Sequence, residues 1–590
     1  MVQKASTLAT CDTVTLELIA GALGMAVSEM ETLLERTAMS PFIREKKDFH
    51  VALADAEGRV IVASGGHTGE FMSAIFEAFP AQEMSAGDIY WYNDCYSSRG
   101  IVSHSPDQVF VAPVYFEDRL VGFSQAWAHF NDIGGMHPGT ISPDATSIYQ
   151  EGIIVPVVRL QQGGRRNEDL QRLFERNSRY PQMVRGDIRA SLAAVALGER
   201  RLAELFDRFG LNVTLAGLEQ SFERTASLLT TRFRELFAAG TYSFSEVVAT
   251  DGKGNGPFNI HMDLTVTPDH VKLDASGTDD QALGPINYLM HVGVPASTLG
   301  RYLLSLVPEA RANHGVQALI DEVVLRHGSL LQPNPPAALG MRGITAIRSM
   351  NCILGIVNQA TNGQGGASNS AYVIYNMRGS HAGKPFLLSD GVAIGYGARA
   401  FADGIDAVYL VGQKNYPAEF METVYPIRMR SYGLLKDSGG PGRWRGGCGV
   451  FREIEILADE ALLSVRIDGV GNPPWGVLGG MPGRGGRAVV NPGRSDERMI
   501  EALSDGTVLK RGDVFRIETV GGGGWGNPLE RSPEHVRADV LGRFISSASA
   551  RDDYGVVLTG ADLHIDYDAT NELRSSSARS AAQGNKVAAA

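Results

Sequence analysis

The feature that most restricts what this chain can fold into is a pair of strand-forming runs separated by a turn. Val109 to Phe116 is rich in Val, Phe and Tyr, and after Glu117-Asp118 a second run from Leu120 leads to Trp127-Ala128-His129. Together they predict a β-hairpin. The preceding run, Ser103-His104-Ser105-Pro106-Asp107-Gln108, reads as a loop, because the residue before a proline avoids the α region. A hairpin returns its second strand to the level at which its first began, so His129 is expected beside His104 and Asp107 despite the gap in sequence. Imidazole and carboxylate ligands together suit a borderline metal such as Zn, Mn or Fe rather than Ca or Mg. Spacing alone is a weak signal, since a structural, hydrogen-bonded histidine fits the same His-x-x-Asp pattern.

Composition bounds the partners. The chain has 590 residues, of which 44% are hydrophobic and 20% charged, as in an ordinary globular protein. A prior of about 150 residues per domain suggests about four, although large mixed folds break that rule. Lys plus Arg number 54 against 66 Asp plus Glu, and the net charge of −12 opposes non-specific contact with nucleic acid or anionic membranes. Proteins and small molecules are the expected partners. Cys11, Cys95, Cys352 and Cys448 lie far apart with no C-x-x-C pair, which argues against a disulfide framework or a cysteine zinc ribbon and predicts reduced thiols in a cytosolic chain. Cys95, close to the proposed site, reads as a small buried hydrophobe ahead of a nucleophile. Met1 to Ala9 lacks the apolar core of a signal peptide and no run of about 18 apolar residues occurs, so neither secretion nor membrane insertion is expected.

The pattern along the chain predicts an α+β architecture: a large mixed, multi-layer fold with metal-site hairpins near the N-terminus, a helical layer, and a Gly-rich β region towards the C-terminus. Leu16, Ile19, Leu23, Val27, Met30 and Leu34 recur in steps of three and four, a long amphipathic helix with Asp12 or Thr13 as cap and an end near Ser40-Pro41. Phe49 to Ala54 and Arg59 to Ala63 flank the turn Asp55-Ala56-Glu57-Gly58. Leu170 to Phe237 reads as helices, and after Gly240 the chain turns strand-rich. From Val424 to Val520, short β-like runs alternate with Gly and Pro clusters. Glycine accounts for 69 residues, nearly twice the average share, and the simplest reading is turns that need positive φ. Phosphate cradling is disfavoured because no G-x-x-x-x-G-K-[ST] occurs. The divisions expected are a metal-site α+β region at 10–240, a second α+β region at 241–423, the Gly-rich β region at 424–530, short terminal helices at 531–569 and a disordered tail at 570–590.

Several motifs in order resemble the hydantoinase B / oxoprolinase family. They are Asn93-Asp94, the loop Ser103 to Gln108, Ala128 to Gly135, Pro138-Gly139 and Tyr149 to Gly152, with Thr15 to Gly58 upstream. Downstream stand Ser431-Tyr432-Gly433, Asp437 to Gly440, Gly442 to Gly447 and Gly521 to Pro528. The resemblance runs from about residue 12 to about residue 557. It implies a metal held by two histidines and carboxylates, carried over as His104, Asp107 and His129, with Asp48 from the family's Arg-x-Asp-Phe turn, although Lys46 stands where arginine is often found. Phe130-Asn131 also departs from the family pattern, where many members have a second histidine and a small residue.

Such a metal would leave a position open for a substrate oxygen. Asp132 reads either as an acceptor orienting the His129 ring or as part of a turn through Gly135. Glu151 and His137 are weaker acid or base candidates. Tyr92, Tyr96, Trp127 and Phe130 suit either an apolar planar substrate or the core. The resemblance further implies a hydantoinase A type partner that carries ATP and Mg, and a metal-dependent subunit of an ATP-dependent cyclic-amide hydrolase. A ketone carboxylase subunit of the acetone or acetophenone type and a non-catalytic assembly subunit remain as alternatives.

Overall fold

The computed structural model describes residues 11–370, 373–409 and 413–576. With 32% helix and 26% strand it is a mixed fold of several sheets, as the sequence pattern indicates. The described residues fall into two compact units, bounded as Met1–Ser245, Asn259–Ile353 and Val411–Lys414, and as Glu246–Phe258, Leu354–Leu410 and Asn415–Ala590.

In the first unit, helix α1 (Thr13–Thr37) starts where the Asp12 carboxylate accepts from the N–H groups of Val14 and Thr15. Its buried stripe is Ile19, Leu23, Ala26, Val27, Met30 and Leu34. Among the described residues it is the one helix long and apolar enough, by length and composition, to cross a membrane. Ser40 then caps α2 (Pro41–Arg44), whose proline takes the first turn. Next come β1 (Phe49–Asp55), β2 (Val60–Ala63), α3 (Ser73–Ala78), β3 (Ile89–Tyr92), β4 (Asp107–Phe116), β5 (Arg119–His129), β6 (Val158–Gln162) and β7 (Arg165–Arg166). The seven strands form one antiparallel sheet in the order β2-β1-β5-β4-β3-β6-β7.

Strand β4 is buried on both faces, which is why its sequence is a nearly unbroken apolar run. Phe110, Ala112 and Val114 join the core built with α1, α4 (Glu168–Asn177), α5 (Pro181–Phe209) and α6 (Leu211–Leu236). Val109 and Val111 join Tyr90, Tyr92, Phe123, Leu289 and Leu339 on the other side. Asp107 and His129 share the parity of Val109 and Phe123, so they lie on the face away from the helical layer.

A second sheet, ordered β11-β10-β9-β8, comprises β8 (Gly240–Val248), β9 (Phe258–Val266), β10 (Val271–Asp274) and β11 (Glu322–Val324). Strands β10 and β11 are parallel, and the crossover between them carries α7 (Val294–Leu304). Helix α8 (Arg342–Thr361) follows, with its first turns in this unit. The region expected as 241–423 is therefore not a unit of its own, since Asn259–Ile353 belongs with the first unit and Leu354–Leu410 with the second.

The second unit contains β12 (Val373–His381), β13 (Lys384–Val392), α9 (Ala418–Val424), β14 (Ile427–Leu434), β15 (Val450–Ile456), β16 (Glu460–Ile467), β17 (Arg487–Val490), β18 (Arg498–Ile500), β19 (Leu503–Lys510) and β20 (Val514–Glu518). Its two larger sheets run β13-β12-β16-β19 and β14-β15-β20-β17-β18, and their apolar residues share one core. The expectation of positive φ holds for Gly469, Gly479, Gly493, Gly506 and Gly512 but not for the glycines of the two clusters. Those of Gly439–Gly447 and Gly521–Gly524 take ordinary φ values, and their role is close backbone approach. A Cβ on Gly521 would collide with the carbonyl oxygen of Ser438, and one on Gly524 with that of Pro441.

Helices α10 (Pro533–Leu541) and α11 (Ser547–Asp552) form as expected, capped by Ser532 and Ser546. The stretch 531–569 also contains a small hairpin, β21 (Val557–Thr559) with β22 (His564–Asp566). Residues 567–576 are helical and Thr570 is buried, so the tail expected to lack structure from 570 is ordered at its start. The rest of that tail, 577–590, lies outside the described residues.

Candidate metal centre

The β4–β5 ladder pairs Asp107 directly with His129. The loop before β4 adds His104. His104 Nε2 lies 2.8 Å and His129 Nδ1 3.0 Å from the same Asp107 oxygen, Oδ1. One ligand atom from each residue lies within 4.8 Å of the other two, and all three side chains are buried. The hairpin thus does what its sequence predicts, bringing His129 back across 22 residues.

The chemistry of this donor set fits a divalent metal. Burial, then the charge of Arg342, lowers His104 to about 4, so its ring is neutral near pH 7 and carries one proton. Both nitrogens nevertheless face oxygens, Nε2 that of Asp107 and Nδ1 the Gly340 carbonyl at 3.3 Å. One N–H satisfies one of them. A cation shared by Nε2 and Oδ1 would leave the Nδ1–H for the carbonyl, the arrangement in which ligating histidines are normally held. Burial works against the Asp107 charge, yet His104, His129 and Arg342 hold this carboxyl well below the usual carboxylate range.

Asp48, the fourth proposed ligand, precedes β1 and adjoins the triad. Its carbonyl accepts from the His129 N–H at 3.1 Å, and its Oδ2 accepts from Gln413 Nε2 at 2.9 Å. Burial pushes its carboxyl up to about 6, with His129 and Arg342 opposing and Asp107 reinforcing. Its carboxylate is not among the three groups that converge.

The other candidates lie apart from the triad. The Asp132 carboxylate accepts from the N–H groups of Gly134, Gly139 and Arg179 and from Arg179 Nη1, and so closes the turn rather than orienting the His129 ring. His137 Nε2 pairs with Asp144 at 3.1 Å within its own loop. Glu151 is fully buried, and its Oε1 accepts from the Leu339 and Gly340 N–H groups at 2.9 and 2.6 Å. Burial pushes the Cys95 thiol well up, with Glu151 and Asp107 adding to it, which makes it an inert core group. Tyr92 and Phe130 are core residues, and the Tyr96 hydroxyl donates to the Ala337 carbonyl. Trp127 remains at the site, stacked on His50 at 5.1 Å.

Four contributors were missed by sequence reasoning. Arg342, at the start of α8, donates from Nε to Ser103 Oγ at 2.7 Å and from Nη2 to Asp107 Oδ2 at 3.4 Å. Gly340 supplies the carbonyl facing His104, and Gln413 holds Asp48. His50, opposite Trp127 in the β1–β5 ladder, lies on the triad's face, and its ring sits 3.7 Å from that of His67. Burial, followed by Arg301, lowers His50 to about 4, and both residues are half-buried. Only His50 carried a local signal, its place two residues after Asp48 at the start of β1.

Residues 12–528 match the Hydantoinase B/oxoprolinase family, and the chain belongs to that family. It is 28% identical to the B-type component of a putative D-/L-hydantoinase from Pseudomonas sp. (strain NS671), over 95% of this chain and 98% of that one. It is likewise 28% identical to the beta component of the caprolactamase from Pseudomonas jessenii, over 93% and 97%. The crystal structure of the ATP-dependent caprolactamase from Pseudomonas jessenii superposes with a TM-score of 0.83 at 26% identity, covering 96% of this chain and all of that one. The nucleotide-free structure of acetone carboxylase gives the same TM-score of 0.83 at 18% identity, over 98% and 84%, a likeness of fold.

Proposed function

We propose that this chain is the metal-dependent subunit of an ATP-dependent cyclic-amide hydrolase, working in a hetero-oligomer with a hydantoinase A type partner that carries ATP and Mg. The observation that carries this reading is the convergence of His104, Asp107 and His129 within 4.8 Å in a member of the Hydantoinase B/oxoprolinase family. Two relatives named as components of a hydantoinase and a caprolactamase support the cyclic-amide substrate class and the partner. The lack of a Walker loop in this sequence accords with a nucleotide site on the partner.

In this reading Asp48 completes the ligand set, and a bound Zn, Mn or Fe would polarise a carbonyl or phosphoryl oxygen as a Lewis acid. Arg342, fixed by Ser103, keeps Asp107 anionic and oriented. Gln413 fixes Asp48. His50 and Trp127 line the approach on the same sheet face, offering a planar surface and a neutral imidazole to the ring of a cyclic amide.

A ketone carboxylase is the second reading, favoured by the fold shared with acetone carboxylase. Co-expression with the candidate partner, followed by assays with ATP, separates the two. Opening of hydantoins, 5-oxoproline or lactams supports the hydrolase. Labelled bicarbonate fixed into a ketone product supports the carboxylase and rejects the hydrolase. A complex with neither activity and no bound metal supports the assembly-subunit alternative.

A further inference from the structure

Glu151 follows a 3-10 turn (Ile148–Gln150) closed by a capping box between Ser147 and Gln150. The turn is docked by the Ile148 N–H on the Pro336 carbonyl at 2.9 Å, so the Glu151 backbone is fixed against the segment it serves. One carboxyl oxygen, Oε1, accepts both the Leu339 and Gly340 N–H groups. The approach is close, since a Cβ at 340 would lie 3.0 Å from Oε1 and press on the carboxyl. The next group along the chain is the Gly340 carbonyl that faces His104 Nδ1, and two residues further Arg342 reaches Ser103 and Asp107.

From this chain of contacts we infer that Glu151 is a positioning residue, which seats His104 and Asp107 for the metal by anchoring the 339–342 turn. The inference rests on the metal-site reading above. Its other oxygen, Oε2, is buried with no hydrogen-bond partner among the described residues, and burial pushes the carboxyl up to about 8 against its two N–H donors. Glu151 is thus a neutral acid near pH 7 whose Oε1 acts as a carbonyl acceptor, a role an amide reproduces. A whole peptide unit separates it from His104, so it acts on that ring through Gly340.

The test uses the full chain, stripped of metal and titrated with Zn2+ against a chelator, with amide hydrogen exchange at Leu339 and Gly340 read on the metal-free protein. Glu151→Ala should weaken Zn2+ binding about 10- to 100-fold, the usual effect of losing a group behind a ligand, and speed exchange at both amides. Glu151→Asp, one methylene short, should do the same, and it carries the comparison should the alanine variant not fold. Glu151→Gln should restore slow exchange and bring the Zn2+ dissociation constant within about twofold of wild type. Wild-type affinity in both the alanine and aspartate variants would overturn the inference. A glutamine variant as weak as alanine would overturn it too, by showing that the ionisable proton matters rather than the anchor. A wild-type chain that takes up none of Zn2+, Mn2+ or Fe2+ in the same titration would overturn the metal reading and this inference together, a result distinct from wild type and Glu151→Ala binding equally well.

Discussion

Asp107 and His129 face each other across a single rung of the β4–β5 hairpin, with His129 Nδ1 3.0 Å from Asp107 Oδ1. The geometry follows from hairpin register. A slip of one residue would send one of the two side chains to the helix-covered face and separate the pair, so the apolar patterning that locks the strands also holds the site.

Arg342 is expected to matter for turnover more than for folding. Arg342→Gln removes the guanidinium from Asp107 Oδ2 and Ser103, and kcat/KM should fall about 10- to 100-fold with metal still bound. Arg342→Lys should recover only part, because a single ammonium does not span both partners. Steady-state kinetics with parallel metal analysis checks both.

Glu151 should make the metal-free protein less stable as pH rises. Its folded pKa, about 8, exceeds the unfolded value near 4.3, so between those limits the folded state binds the extra proton. The contribution is fully present below about pH 4.3 and lost as pH rises through about 8. Thermal unfolding at pH 5 and pH 8 should show wild type losing stability relative to Glu151→Gln, on the order of a few kcal/mol. Parallel profiles would contradict the assignment.

Close backbone packing makes Gly521 intolerant of a methyl group. Gly521→Ala should destabilise the chain by about 1–3 kcal/mol through overpacking against Ser438, without altering metal content. Denaturant unfolding with metal analysis measures both. A variant as stable as wild type would mean that the Ser438 turn yields freely.

The hairpin and the convergence of His104, Asp107 and His129 were legible because strand-forming residues bracket a two-residue turn, and a proline breaks the chain just before Asp107. Both signals are local. Arg342, Gly340 and Gln413 were not legible, since each reaches the site from more than 200 residues away and a single sequence carries no mark of that pairing. Glu151 read as an acid or base because burial and N–H partners arise only in the tertiary structure. The same holds for Asp132, whose short motif fits an orienting acceptor as well as a turn. Glycine clusters misled for a related reason: positive φ and close backbone contact leave the same composition, and packing alone separates them. At Gly240 the local pattern does change from helix to strand, but Asn259–Ile353 remains packed with the first unit.

The most direct test is the metal content of the purified chain and of Asp107→Ala, His104→Ala and His129→Ala, read by elemental analysis beside ATP-dependent amide opening with the partner. About one Zn, Mn or Fe per wild-type chain, lost in each variant together with activity, is the predicted result. A wild-type chain that is active without stoichiometric metal, or variants that keep both metal and activity, would contradict the account.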